Sequence, residues 1–280
     1  MERILLCSDL DRTLLPNGHQ PESPNARPLL RVLARRPEVT LAYVSGRHKA
    51  LLEKAICDYD LPLPDFAIGD VGTTIYEVAG NRWHRWQAWS EEIAPDWDGH
   101  THDDLQIWLS DLNEIRPQEA EKQNTFKLSY YAAAELDARS LLNTIRRRLA
   151  SHGVRAELIW SVDEVSHVGL LDILPASANK LHAIRFLMDR HGFDLAHTVF
   201  AGDSGNDLPV LTGGLQAVLV RNATEAVRCE ATSLAKRNGY EDRLYLARGG
   251  FLAMNGNYAS GVLEGLAHFF PSAKGWMRIE

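Results

Sequence analysis

Short apolar runs punctuate this chain, each stopping abruptly at residues able to do chemistry. Ile4-Leu-Leu-Cys-Ser8 ends at Asp9, Val39-Thr-Leu-Ala-Tyr-Val44 at Ser45-Gly46, and His197-Thr-Val-Phe-Ala201 at Gly202-Asp203. Short continuous apolar runs, without polar alternation, belong to strands buried on both faces of a parallel sheet. Helix-like segments lie between them, over 25–36, 48–57, 178–191, 223–230 and 257–269, with further strands at 66–68, 74–78, 217–220 and 244–246. Strand-helix alternation of this kind predicts an α/β fold: a doubly wound, Rossmann-like parallel sheet.

The alternation breaks near residue 80. Five of the seven tryptophans fall between Trp83 and Trp108, and strands at 125–131, 155–160 and 168–174 surround one long helix at 134–151. That order predicts an inserted α+β unit with an antiparallel sheet. The expected division is a core of 1–79 and 170–280 with an insert of 80–169. Packing of the insert's own core is the expected use of its tryptophans.

Several function classes are excluded at this level. A hydrophobic content of 45% with 24% charged residues is that of a globular chain. The net charge of −7 argues against binding nucleic acid over a broad basic face. No run approaches the ~20 apolar residues of a membrane span, and the apolar start is too short for a signal peptide, so a cytoplasmic protein is expected. Cys7, Cys57 and Cys229 form no C-x-x-C pair and are expected to be buried, reduced thiols. There is no G-x-x-x-x-G-K-[ST] loop, no G-x-G-x-x-G after a strand and no H-E-x-x-H. The elbow spacing G-x-S-x-G fails at Asn206. His100 and His102, beside Asp103 and Asp104, read as a solvated loop.

Ligands of open parallel sheets bind beyond the carboxyl ends of the strands. Those ends carry Asp9-Leu-Asp11-Arg-Thr13, Ser45-Gly46 and Gly202-Asp203-Ser-Gly-Asn206-Asp207, and the helix after the insert opens with Asn179-Lys180. Four carboxylates converging on one point repel strongly and call for a divalent cation. An all-oxygen donor set suits Mg²⁺, which binds readily together with a substrate phosphate. One carboxylate can act as a nucleophile, while Ser45, the Gly46 N–H and Lys180 neutralise a transferring phosphoryl group.

Together these residues resemble the four motifs of the haloacid dehalogenase (HAD) superfamily of phosphatases, and the insert resembles that superfamily's C2-type cap. More narrowly, Leu41-Ala-Tyr-Val-Ser-Gly-Arg47, Thr125-Phe-Lys-Leu-Ser-Tyr130, Leu171-Asp-Ile-Leu-Pro175, Val220-Arg-Asn-Ala223 and the tail Tyr258–269 are similar to the sucrose-phosphatase family. The resemblance implies that Asp9 is nucleophile and Mg²⁺ ligand. It implies that Asp11 is general acid and then base, with its carbonyl on the metal. Asp203 would hold the metal directly and Asp207 from behind it, while Lys180, Ser45, Gly46 and Asn206 would serve the phosphoryl group. The cap would close over the sugar, with Arg47, His48 and Lys127 as candidate sugar contacts. Ser45 stands where the family usually has Thr, keeping the hydroxyl; Asp70 departs from the family pattern and receives no role. The implied substrate is sucrose 6-phosphate. Phosphatases of mannosylfructose, mannosylglycerate or kanosamine phosphate, and a sugar-phosphate mutase, are the alternatives. The expected partner is that small molecule alone, with neither nucleic acid nor membrane and a monomeric chain.

Overall fold

The computed structural model describes residues 3–80, 82–163 and 166–277. They form two compact units, Met1–Arg85 with Lys180–Glu280, and Trp86–Asn179. The first unit opens with β1 (Ile4–Ser8), α1 (Ala26–Ala34), β2 (Val39–Val44), α2 (Lys49–Asp58), β3 (Phe66–Gly69), β4 (Thr74–Ala79) and β5 (Arg82–Arg85). The second unit contributes α3 (Gln87–Ile93), α4 (His102–Leu109), β6 (Ile115–Pro117), β7 (Leu128–Ala133), α5 (Ala138–Ala150), β8 (Ala156–Asp163) and β9 (Val168–Pro175). The chain then returns to the first unit through α6 (Lys180–His191), β10 (Thr198–Gly202), α7 (Leu208–Leu211), β11 (Gln216–Leu219), α8 (Glu225–Asn238), β12 (Leu244–Leu246) and α9 (Ala259–Phe269).

The strand order of the first unit is β12-β11-β10-β1-β2-β3-β4-β5. Neighbours from β12 to β3 run parallel, and β4 and β5 are added antiparallel. This is the α/β architecture read from the apolar runs. Ile4 and Leu6 of β1 join Leu41 and Tyr43 of β2 and Val199 and Ala201 of β10 in one core with α1 and α9. The alternate residues Leu5, Cys7 and Phe200 point to the opposite face and are equally buried, which is why the runs lack polar alternation. Helix α9 is buried from Ala259 through Ala267. A Cβ at Gly265 would stand 2.2 Å from Val218 Cγ2, so glycine lets this helix lie directly on β11.

The second unit is an antiparallel sheet in the order β6-β7-β9-β8. Helices α4 and α5 share a core with one face of it: Leu105, Leu109, Leu141, Ile145 and Leu149 against Leu128, Tyr130, Leu158, Leu171 and Ile173. Trp89 and Trp97 are fully buried, and Trp108 stacks on His152 with centroids 3.8 Å apart. Trp83 belongs instead to β5 of the first unit, edge-on to Tyr76.

Four details differ from the sequence expectation. The unit boundaries fall at 86 and 179, not 80 and 169, because β5 pairs with β4 and β9 hydrogen-bonds along its whole length to β8. The segment read as a loop around His100–Asp104 opens α4, where Thr101 and Asp104 form a reciprocal capping box. The helix expected over 223–230 continues to Asn238 and ends at Gly239 in a left-handed conformation. Of the three cysteines only Cys7 is buried; Cys57 and Cys229 are exposed on helices. Among the described residues no helix is long and apolar enough to cross a membrane.

Candidate active site

Asp9 leaves the sheet at the end of β1, and its amide donates to the Ala201 carbonyl at 2.9 Å, which ties it to the end of β10. Ser8 pairs with both Tyr43 and Ala201. The three central strands therefore end level, with Asp9, Ser45 and Asp203 along one edge. Lys180 opens α6, and its Nζ lies 2.8 Å from Asp9 Oδ1 and 2.7 Å from Asp207 Oδ1. Thr13 Oγ1 donates toward Asp9 Oδ2 at 3.4 Å and Asp203 Oδ1 at 3.2 Å, joining two carboxylates that lie far apart in sequence.

Asp207 is folded back under β10. Its Oδ2 accepts the Asp203 amide at 3.1 Å, the Ser204 amide at 3.2 Å and the Ser204 hydroxyl at 3.1 Å. A Cβ on Gly202 would meet the Asp207 side chain at 2.7 Å, so this return requires glycine. With Oδ1 on Lys180 and Oδ2 on three donors, Asp207 has its oxygens engaged and supports the cluster from behind.

Asp9, Asp203 and Asp207 are all buried, and each places a carboxylate oxygen within 4.8 Å of the others. Burial, with lesser repulsion from Asp207 and Asp203, pushes the Asp9 carboxyl up to about 7 against the pull of Lys180. Burial and the Asp207 charge push Asp203 up to about 6, opposed by Arg12, whose Nε lies 3.5 Å away. Burial would lower the Lys180 pKa, but the charges of Asp207 and Asp9 outweigh it and hold the ammonium protonated. Three buried carboxylates are thus faced by one buried lysine, on Asp9 and Asp207, and by the partly exposed Arg12 beside Asp203. That excess of hard, anionic oxygen fits a divalent cation such as Mg²⁺.

Asp11 faces a different set of partners. Arg47 grips it in a two-pronged contact, Nε to Oδ2 at 2.8 Å and the terminal nitrogen to Oδ1 at 2.6 Å, and Asn17 donates to Oδ1 at 2.7 Å. Burial alone would raise this carboxyl, but the Arg47 bonds and charge overcome it and hold Asp11 below the usual carboxylate range.

The structure thus brings Asp9, Lys180, Asp203 and Asp207 together, with Asp11 two residues from Asp9. Ser45 is buried at the end of β2, its amide on the Ile68 carbonyl and its hydroxyl accepting the Arg47 amide at 3.2 Å. Gly46 and Asn206 are exposed, and His48 precedes α2 half-buried. Lys127 belongs to the second unit, where only 7% of it is exposed and its Nζ lies 3.7 Å from Asp172 Oδ1. Ser129 donates to that same carboxylate oxygen. Sequence reasoning passed over Asp172, Asn17 and the bridging role of Thr13. Asp172 stands in an otherwise apolar strand, Val168–Pro175, and that polar interruption was the available signal.

Comparison with known proteins places this geometry in a family. The model of the sucrose-6F-phosphate phosphohydrolase family matches residues 2–270. A HAD-like hydrolase of Nitrosococcus oceani is 62% identical over 99% of this chain and 74% of its own length. The mannosylfructose-phosphate phosphatase of Agrobacterium fabrum is 28% identical over 95% of this chain and 96% of its own. Among solved structures, the sucrose-phosphatase of Synechocystis in complex with sucrose and phosphate superposes with a TM-score of 0.71, at 26% identity, over 96% of this chain and 98% of that one. With strand-end carboxylates, buried lysine and inserted sheet all in place, the chain belongs to the sucrose-6F-phosphate phosphohydrolase family of HAD-like sugar phosphatases.

Proposed function

We propose that this protein is a Mg²⁺-dependent phosphatase of sucrose 6-phosphate that works through an aspartyl-phosphate on Asp9. The observation that carries the chemistry is the asymmetry of the Asp9 carboxylate. Oδ1 is held by Lys180 at 2.8 Å, whereas Oδ2 has only the long 3.4 Å contact with Thr13. Oδ2 is therefore the oxygen available to attack phosphorus. The new bond joins Asp9 to phosphorus as the bond from phosphorus to the sugar oxygen breaks, and Asp11 gives its proton to the departing alcohol. Asp11 then takes a proton from the water that attacks the acyl phosphate, releasing phosphate and restoring both carboxyls.

Lys180, Ser45, the Gly46 N–H and Asn206 neutralise and orient the phosphoryl oxygens in this scheme. A bound Mg²⁺, held by Asp9, Asp203 and the Asp11 carbonyl with Asp207 in support, would add Lewis-acid neutralisation of the same charge. Arg47 keeps Asp11 ionised in the free protein. Proton donation therefore requires this guanidinium to loosen its grip and Asp11 to take up one proton from solvent before the sugar oxygen departs; an arriving phosphate dianion competes for Arg47 with the right charge.

Support for the sugar assignment comes from the similarity to the sucrose-phosphatase solved with sucrose and phosphate. In the insert, the nearly buried Lys127 beside Asp172 and Ser129 forms a polar cluster suited to sugar hydroxyls. The similarity to a mannosylfructose-phosphate phosphatase supports a second substrate of the same class. The test is phosphate release from sucrose 6-phosphate, mannosylfructose phosphate, kanosamine 6-phosphate and glucose 6-phosphate, each with Mg²⁺ and with EDTA. Preferred, Mg²⁺-dependent turnover of sucrose 6-phosphate is expected. A preference for glucose 6-phosphate would overturn the disaccharide assignment, and full activity in EDTA would overturn the metal.

A further inference from the structure

We infer that Asn222, which lies in the Val220–Ala223 segment and has no part in the chemistry described so far, is a positioning residue that sets the Asp11–Thr13 segment through the Arg12 carbonyl. This role presupposes the Asp9–Asp11 phosphatase chemistry proposed for the site. Arg12 adopts φ +60°, a left-handed conformation that a residue with a Cβ rarely takes unless its surroundings hold it there. The flanking residues carry different tasks. Asp11 faces Arg47, whereas Thr13 is fully buried and links Asp9 to Asp203. The backbone conformation of Arg12 between them therefore orients both side chains at once.

Two side chains hold Arg12, one through the peptide before it and one through the peptide after it. Asn17 Oδ1 accepts the Arg12 amide at 2.8 Å, but Asn17 is exposed and water competes for the bond. Asn222 Nδ2 donates to the Arg12 carbonyl at 2.6 Å from a side chain only 4% exposed. The other end of the Asn222 amide accepts the Tyr258 N–H at 2.8 Å. Tyr258 is itself left-handed, at φ +51°, and its hydroxyl reaches Gln20 at 3.3 Å. The backbone leading into Asn222 is anchored, with the Val220 N–H on the Gly202 carbonyl and the Arg221 N–H on the Gly256 carbonyl. One amide thus needs a donor for one buried backbone group and an acceptor for another. Asn supplies the two from separate atoms, Nδ2 and Oδ1, whereas a Ser or Thr hydroxyl would have to do both from a single oxygen.

Asn222→Asp keeps the acceptor for Tyr258 and turns the Arg12 contact repulsive, while Asn222→Ala removes both bonds without adding charge. Both variants should lower kcat on p-nitrophenyl phosphate by roughly tenfold to a hundredfold, with KM changed by less than about twofold. Hydrogen exchange of the 11–15 peptide should accelerate by roughly tenfold or more in both variants, accompanied in Asn222→Ala by the Tyr258 amide, which loses its acceptor, while segments away from these two are unchanged. Asn257→Ala provides the comparison, since it removes a bond to the Pro21 carbonyl without touching the Arg12 peptide. It should leave kcat within about twofold of wild type. Unchanged exchange at 11–15, or an equal kcat loss in Asn257→Ala, would overturn the assignment. If the wild-type protein released no phosphate from any ester, the phosphatase chemistry would fail, and the exchange data would still decide whether Asn222 holds this peptide.

Discussion

Replacing Lys180 with Met removes the charge from the centre of the carboxylate cluster while keeping most of the side-chain volume. The lysine is almost buried, at 11% side-chain exposure, and faces Asp9 and Asp207, exposed by 10% and 0%. Breaking a buried pair by deleting one partner costs about 3–5 kcal/mol, since the remaining charge is left uncompensated. For a unit of this size that is a fall in Tm of roughly 6–20 °C. The loss should depend on pH in a definite direction. Lys180 pulls down the Asp9 pKa, so the variant's Asp9 must titrate above the value of about 7 in the wild-type protein. A carboxyl whose folded pKa lies above its unfolded value can protonate within the fold. The penalty is therefore absent below the unfolded pKa of ~4 and grows as pH rises toward the folded one. Melts of both proteins in EDTA at pH 5.5 and pH 8 should show a much larger gap at pH 8. Added Mg²⁺ should narrow it, because the cation supplies the missing positive charge. Equal Tm values for variant and wild type at pH 8 in EDTA would refute the view that Lys180 neutralises this cluster.

Asp9→Asn should fold and retain less than about a hundredth of wild-type turnover, because an amide neither attacks phosphorus nor carries charge to a metal; turnover at a tenth of wild type would remove Asp9 from the nucleophile's role. Mg²⁺ affinity, followed by calorimetry, should fall by roughly tenfold per unit between pH 7 and pH 6, and more steeply below, since Asp9 at about 7 and Asp203 at about 6 must lose protons to bind it. A flat profile would show that those carboxyls do not hold the ion. Lys127→Ala should reduce kcat/KM for sucrose 6-phosphate by about ten- to a hundredfold and leave p-nitrophenyl phosphate largely untouched. Equal losses on both esters would make Lys127 a structural residue of the insert.

The α/β core was legible in the sequence because its strands are buried on both faces, which forces continuous apolar runs and makes their ends conspicuous. Asp9, Ser45 and Asp203 stood out as the residues at which those runs stop, and the sheet register sets them along one edge. The insert was harder to read. Its short helices α3 and α4 carry tryptophan, histidine and acid in close succession, and α4 is started by a local cap more than by a strong apolar stripe. How the polar groups are shared could not be read before the chain was folded. Lys180 chooses Asp9 and Asp207, 171 and 27 residues away, and Arg47 chooses Asp11 rather than solvent. Lys127 is drawn into a nearly buried pair with Asp172. Asn222 reaches across 210 residues to a single carbonyl. Hydrophobic burial is written in the local pattern of residues, whereas the choice of partner by a buried charge or amide is made by distance and geometry, which exist only once the chain has folded.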